Sequence, residues 1–198
     1  MPLLGTRGGG SARGFGRGAR ALAVPDTGAM FPLGMVQVGS GGSSTITFSS
    51  IPATYTHLQI RYAAKGSSGT VYSRLRFNSD TSTNYYSHEL VGGGGGGVGA
   101  QAYSGASFNS IVLSGQGFTS VSNTFNAGVV DILDYTSTSK NKTVRYLDGF
   151  DANGSGNIGL YSGVWSATPA AITQIDIIIS SGNFAQYSSF ALYGIKGA

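Results

Sequence analysis

Two histidines are the first residues to test for chemistry, because imidazole serves both as a metal ligand and as a general base. His57 and His88 belong to no HxH or HExxH arrangement, so neither has the spacing of a metal-binding pair. His88 and Glu89 are neighbours in a predicted strand, and such neighbours point to opposite faces. We therefore expect both histidines to be surface or interface groups, with no metal or cofactor bound.

The eight acids offer the second route to catalysis, since a glycosidase needs two facing carboxylates. Asp131 and Asp134 are separated by an odd number of positions, which places them on opposite faces of a predicted strand. Asp148 and Asp151 have the same spacing. Two acids distant in sequence could still meet in the fold. The chain contains no Cys, and therefore no thiol nucleophile. We expect no enzyme activity.

The segment Asp151–Gly156 (DANGSG) matches the beginning of a calcium-binding loop. The last ligand position of such a loop would fall on Ser162 instead of a bidentate glutamate, and the flanking segments have the pattern of strands. Asn153 and Gly154 also suit a tight turn. We interpret the segment as a turn, with a weak cation site as the alternative.

Short segments with strand periodicity, separated by turn residues, fill the chain from residue 36 onward. In the segment 55–65, Leu58, Ile60 and Tyr62 alternate with polar residues, which is typical of a strand buried on one face. About ten such segments predict an all-β fold, an antiparallel jelly-roll-like β-sandwich at residues 36–198. The 33 glycines disfavour helices. The clearest segments are 45–48, 55–65, 70–78, 85–91, 107–114, 124–135, 143–150, 157–165, 172–179 and 187–195.

A run of glycines directly follows the predicted strand at 85–91. It packs no side chains and loses much backbone entropy when it is ordered. We interpret it as an exposed loop at the tip of the domain, either a flexible connection or a segment that contacts a ligand or partner. The run consists of Gly92, Gly93, Gly94, Gly95, Gly96 and Gly97.

The net charge of +4 is concentrated at the N-terminus, because the first 20 residues contain four arginines and no acid while the rest is balanced. An even basic surface, which is typical of nucleic-acid-binding domains, is absent, so we expect no nucleic-acid partner. No apolar run approaches the roughly 20 residues of a membrane helix, so we expect no membrane insertion. The N-terminus also lacks the apolar segment of a secretory signal.

Residues 1–20 (MPLLGTRGGGSARGFGRGAR) have neither a helix nor a strand period. Alone, they cannot bury enough apolar surface to offset the entropy of ordering. Arginine forms bidentate hydrogen bonds and phenylalanine anchors interfaces. We therefore interpret residues 1–35 as an extended Gly/Arg-rich docking arm and linker, with a flexible basic tail as the alternative. The candidate contacts are Arg7, Arg13, Phe15, Arg17 and Arg20.

Two parts of the chain resemble one group of viral proteins. The opening LGTRGGGSARGFGRG resembles the short GxRGxxSARGFG leader of tail-associated and other virion proteins of marine podoviruses and cyanophages. The segments KNKTVRYLDGFDANGSG and ITQIDIIISSGNFAQYSSFALYGIK are similar to β-sandwich structural proteins of the same phages. Neither part is a catalytic motif.

The resemblance implies a bacteriophage virion protein, located in the particle after synthesis in the host cytoplasm. The leading interpretation is a short tail fibre or receptor-binding subunit, a homotrimer that docks on other virion proteins through its arm and attaches to a host-surface glycan. A capsid decoration protein is the first alternative. A secreted carbohydrate-binding module is the second, from a different class of protein.

Overall fold

The structure is a computed structural model, and ten of its twelve described strands lie in segments predicted to be strands. It describes residues 29–68, 71–104, 108–114, 117–119 and 121–197. The predicted docking contacts Arg7, Arg13, Phe15, Arg17 and Arg20 lie outside these residues, as does most of the predicted arm. Nowhere in the described ranges is there a helix with the length and hydropathy to cross a membrane.

Every regular element in the described residues is a β-strand, which confirms the predicted all-β class. Alternating polar and apolar residues place one face of most strands in the core. The strands are β1 Met30–Gln37, β2 Thr45–Phe48, β3 His57–Ala64, β4 Ser73–Phe77, β5 Tyr85–Gly93, β6 Val98–Tyr103, β7 Ile111–Val112, β8 Asn126–Leu133, β9 Lys142–Asp151, β10 Gly156–Trp165, β11 Ile175–Ile179 and β12 Ser189–Ile195.

The strands form two antiparallel sheets. The large sheet has eight strands in the order β1-β12-β3-β8-β9-β10-β5-β6, and the small sheet has four in the order β2-β11-β4-β7. One hydrophobic core contains residues of both sheets, such as Ile60 of β3 and Ile177 of β11, which are fully buried. The two sheets therefore enclose a shared core, as in a sandwich.

The first strand begins at Met30, within the segment predicted to be linker. It pairs with β12, and its register shifts between Pro32 and Gly34, which marks a β-bulge. Proline is tolerated at this position because β1 is an edge strand. Pro32 and Gly34 interrupt the alternation of the strand, so the sequence indicated a linker. The boundary between linker and sheet thus moves from residue 36 to Met30.

Strand β6 was not predicted from the sequence. It pairs with β5 at the other edge of the large sheet, and all its residues except Tyr103 are exposed. A strand with almost no buried side chains has no apolar period for the sequence to display. The connection between Gly93 and Val98 is accordingly the turn of a β5–β6 hairpin.

Gly128 is required by the packing of a buried tyrosine on the neighbouring strand. It is the register partner of Tyr62, and a Cβ at Gly128 would lie 2.2 Å from Tyr62 Cζ. The ring cannot move freely, because Tyr62 Oη donates a hydrogen bond to buried Asp148 Oδ2 over 2.8 Å. Gly128→Ala should therefore lower the free energy of unfolding by about 1–3 kcal/mol, the usual cost of overpacking.

Gly99→Ala is the matched control, because no atom lies within 4 Å of a Cβ at Gly99, which is also in a strand. Urea unfolding of both variants checks the prediction. Equal midpoints for the two variants would contradict it.

Candidate interaction face

The large sheet has one face toward the small sheet and an opposite face, here called the outer face. The registers of β5, β8, β9 and β10 are continuous, so outward side chains line up in rows across the strands. Such rows form one continuous surface.

One of these rows, here called the apolar row, consists of large aliphatic side chains. Val129 pairs with Leu147, Leu147 with Leu160, and Leu160 with Leu90. Their exposed fractions are 36%, 47%, 56% and 50%, respectively. Four adjacent strands thus present a continuous apolar strip to the surroundings, although aliphatic side chains are usually buried.

A second row lies beside the apolar row and consists of small and apolar residues. Gly149 pairs with Ile158, Ile158 with Gly92, and Gly92 with Val98. Ile158 is 59% exposed and Val98 is 76% exposed. The glycines leave a shallow hollow of about 620 Å³ that Leu147 and Ile158 also line. This hollow can accept a large apolar side chain from another molecule.

A third row, here called the polar row, flanks the apolar row on its other side. Asp131 pairs with Arg145, Arg145 with Ser162, and Ser162 with His88. Gln59 Nε2 donates a 2.8 Å hydrogen bond to Asp131 Oδ1. A second hollow, of about 590 Å³, lies between the polar row and the apolar row.

The six glycines predicted to form a tip loop lie at the end of the β5–β6 hairpin. Gly92 and Gly93 belong to β5, and Gly94, Gly95, Gly96 and Gly97 form the exposed turn. Gly96 has a φ of +82°, which favours glycine. Gly94 N donates to Gly156 O over 2.9 Å, and a Cβ at Gly94 would lie 3.0 Å from Ser155 Cα. The glycine run therefore packs against the β9–β10 turn.

The DANGSG segment forms that β9–β10 turn, in agreement with its interpretation as a turn. Asn153 and Gly154 have φ values of 57° and 89°, as the two central residues of a type I′ hairpin turn require. Ala152 N donates to Ser155 O over 2.6 Å and closes the turn. In the part of the chain that the structure describes, no group of three or more His, Asp or Glu side chains could hold a metal ion.

The histidines lie on different strands, and His57 Nδ1 is 3.6 Å from Asp134 Oδ1. His57 Nδ1 accepts a 3.0 Å hydrogen bond from Asp134 N, and Lys140 Nζ lies 2.7 Å from Asp134 Oδ2. His88 is exposed on the outer face, while Glu89 is buried on the inner one. His88 therefore joins the interaction face, and His57 fixes the end of β8.

Asp148 is buried beneath the outer face at the centre of a polar cluster. It accepts hydrogen bonds from Tyr62 Oη at 2.8 Å, from Ser114 Oγ at 3.2 Å and from Asn126 Nδ2 at 3.5 Å. Burial raises its pKa to about 6, although the three hydrogen bonds act in the opposite direction. Burial, followed by the nearby Asp148 carboxyl, raises the pKa of Tyr62 well above its usual value.

The apolar row was missed by sequence reasoning, although a signal was present. In β9 and β10, apolar residues occupy both parities, such as Tyr146 and Leu147, or Leu160 and Tyr161. An antiparallel strand that is apolar on both sides is typical of a sheet whose second face is also covered. The arrangement can bind another macromolecule through apolar contact, with the polar row providing orientation.

The chain has no match among the protein-family models, the curated proteins or the solved structures with which it was compared.

Proposed function

We propose that this chain is a non-enzymatic structural protein of a bacteriophage virion, in first place a short tail fibre or receptor-binding subunit. In this proposal, residues 1–35 contain the segment that docks on other virion proteins, and the β domain is displayed on the particle. The observation that carries the proposal is the apolar row of Val129, Leu147, Leu160 and Leu90 on the outer face.

Contiguous exposed apolar surface is rare on soluble monomers, and larger patches mark interaction sites. Here the strip crosses four adjacent strands and is bordered by the further exposed side chains of Ile158 and Val98. A protein that works as a part of an assembly buries such a surface against its neighbours. A virion subunit fits that requirement, and the resemblance of the leader to virion proteins points in the same direction.

The strand order supports assignment of the domain as a jelly roll. If β5, β6, β9 and β10 are set aside, the large sheet reads β1-β12-β3-β8 and the small sheet β2-β11-β4-β7. In chain order, these eight strands follow the 1-8-3-6 and 2-7-4-5 pattern of a jelly roll, an architecture that viral capsid and lectin domains share. This support is a fold-level analogy.

The four strands outside that pattern form two hairpins that carry most of the apolar row. Hairpins β5–β6 and β9–β10 extend the large sheet beyond β8. Leu90, Leu147 and Leu160, three members of the apolar row, lie on these added strands. The added hairpins thus provide most of the surface that the proposal assigns to assembly.

Quantitative mass spectrometry of purified phage particles tests the proposed function. A few copies per particle are expected for a tail fibre. Hundreds of copies would replace the fibre with the alternative, a capsid decoration protein. Absence from particles would contradict both and leave the carbohydrate-binding module as the interpretation to test.

A further inference from the structure

The outer face has an unusually simple charge pattern. Across the eight strands of the large sheet, Asp131, Asp151, Arg61 and Arg145 are the only Asp, Glu, Lys or Arg side chains that point outward. Asp131 and Arg145 face each other in the register of β8 and β9, and Arg61 is the register partner of Val129. Both ion pairs in the described residues involve Asp134 instead. Two acids and two bases on the outer face are therefore outside these ion pairs.

The outer face is also large enough for a specific interface. Eight strands about 4.8 Å apart and about 20 Å long cover roughly 800 Å². Each partner in a standard protein–protein interface contributes about 800 Å². The outer face of one chain is thus as large as the surface that one partner contributes to a standard interface.

We infer that the outer face binds the outer face of a second copy of this chain. The apolar row is self-complementary, because a two-fold axis between β9 and β10 sets Leu147 of one copy opposite Leu160 of the other, and Val129 opposite Leu90. The face carries as many acids as bases, so the two copies meet without a net charge repulsion. This inference rests on the proposed assembly role and specifies its partner.

The basic arm of the same chain fits the outer face less well. Residues 1–20 carry four arginines and no acid. The face offers no excess of negative charge to attract them, since Asp131 and Asp151 are balanced by Arg61 and Arg145. The self-complementary pattern therefore favours a second copy over the arm.

Sedimentation equilibrium of the 198-residue chain tests the inference. Wild-type protein is expected to self-associate. Leu160→Glu should weaken self-association about 100-fold, because it replaces an apolar contact with a buried charge in both copies. Val121→Glu is the matched control, since Val121 is 49% exposed in a loop outside the outer face, and it should leave self-association unchanged.

A variant at the end of the apolar row tests how the two copies are arranged. Val129→Glu should also weaken self-association, because it places a charge opposite Leu90 of the second copy. Circular dichroism and thermal midpoints verify that each variant is folded.

A wild-type chain that is monomeric up to its solubility limit would overturn the inference. So would Leu160→Glu protein that associates as well as wild type. Val129→Glu protein that associates as well as wild type would overturn the pairing of the apolar rows. Because these measurements use isolated protein, a monomeric chain that is nevertheless found in particles would remove the self-interface and leave the virion proposal standing.

Discussion

Deletion of residues 1–20 is expected to reduce this protein to background levels in purified particles, while its β domain remains folded. Every residue of the described core lies at or after Val38, so the deletion removes none of the core side chains that the structure describes. The deleted segment contains Arg7, Arg13, Phe15 and Arg17, whose bidentate and aromatic groups are suited to anchoring the chain on a partner.

The deletion requires a control that separates docking chemistry from simple charge. Replacing Arg7, Arg13, Arg17 and Arg20 with Lys keeps the charge but removes the planar guanidinium groups. If these groups dock the arm, the Lys variant should also show reduced occupancy, whereas Ser11→Ala should enter particles normally. Mass spectrometry gives the occupancy, and circular dichroism verifies the fold. Normal occupancy of the truncated protein would contradict the docking role.

Asp148→Asn is expected to remove a large part of the pH dependence of stability. Burial raises the pKa of Asp148 from its usual 3.8 to about 6. The folded protein therefore binds this proton more tightly than the unfolded chain does. The contribution of Asp148 to the free energy of unfolding is complete below the pKa of the unfolded state, and it is lost as the pH rises through the pKa of the folded state. Between about pH 4.5 and 7.5 this contribution falls by about 2 kcal/mol.

Urea unfolding of wild type and Asp148→Asn across this pH range measures the effect. The difference in the free energy of unfolding between the two proteins, followed over pH, gives the contribution of Asp148. The lowered pKa values of Asp80 and Asp134 act in the opposite direction, mainly at lower pH, and are common to both proteins. The wild type should gain stability relative to the variant as the pH falls. Parallel profiles would contradict the assignment of the raised pKa to Asp148.

The all-β class followed from the sequence because it depends on local information. In β3, apolar Leu58, Ile60 and Tyr62 alternate with polar residues, and this alternation predicts a strand without knowledge of its neighbours. Strands without this alternation of polar and apolar side chains were not predicted. Pro32 and Gly34 concealed β1, and the exposed residues of β6 gave no signal.

The candidate site depends on information that a single sequence does not contain. Leu90 and Leu160 are far apart in the chain, and only the pairing of β5 with β10 makes them neighbours. The sequence correctly placed Asp148 and Asp151 on opposite sides, since Asp148 is buried and Asp151 is exposed. It could not tell which of the two points inward, because that depends on where the small sheet and its loops pack.

A cryo-microscopy reconstruction of the purified particle, at a resolution that separates β-strands, tests whether the outer face is an assembly surface. We expect density for this chain on the particle, with the outer face of β5, β8, β9 and β10 covered by protein. We further expect the covering molecule to be a second copy of the chain. An outer face that is open to solvent in the assembled particle, with Leu160 and Leu90 uncovered, would contradict the assembly role.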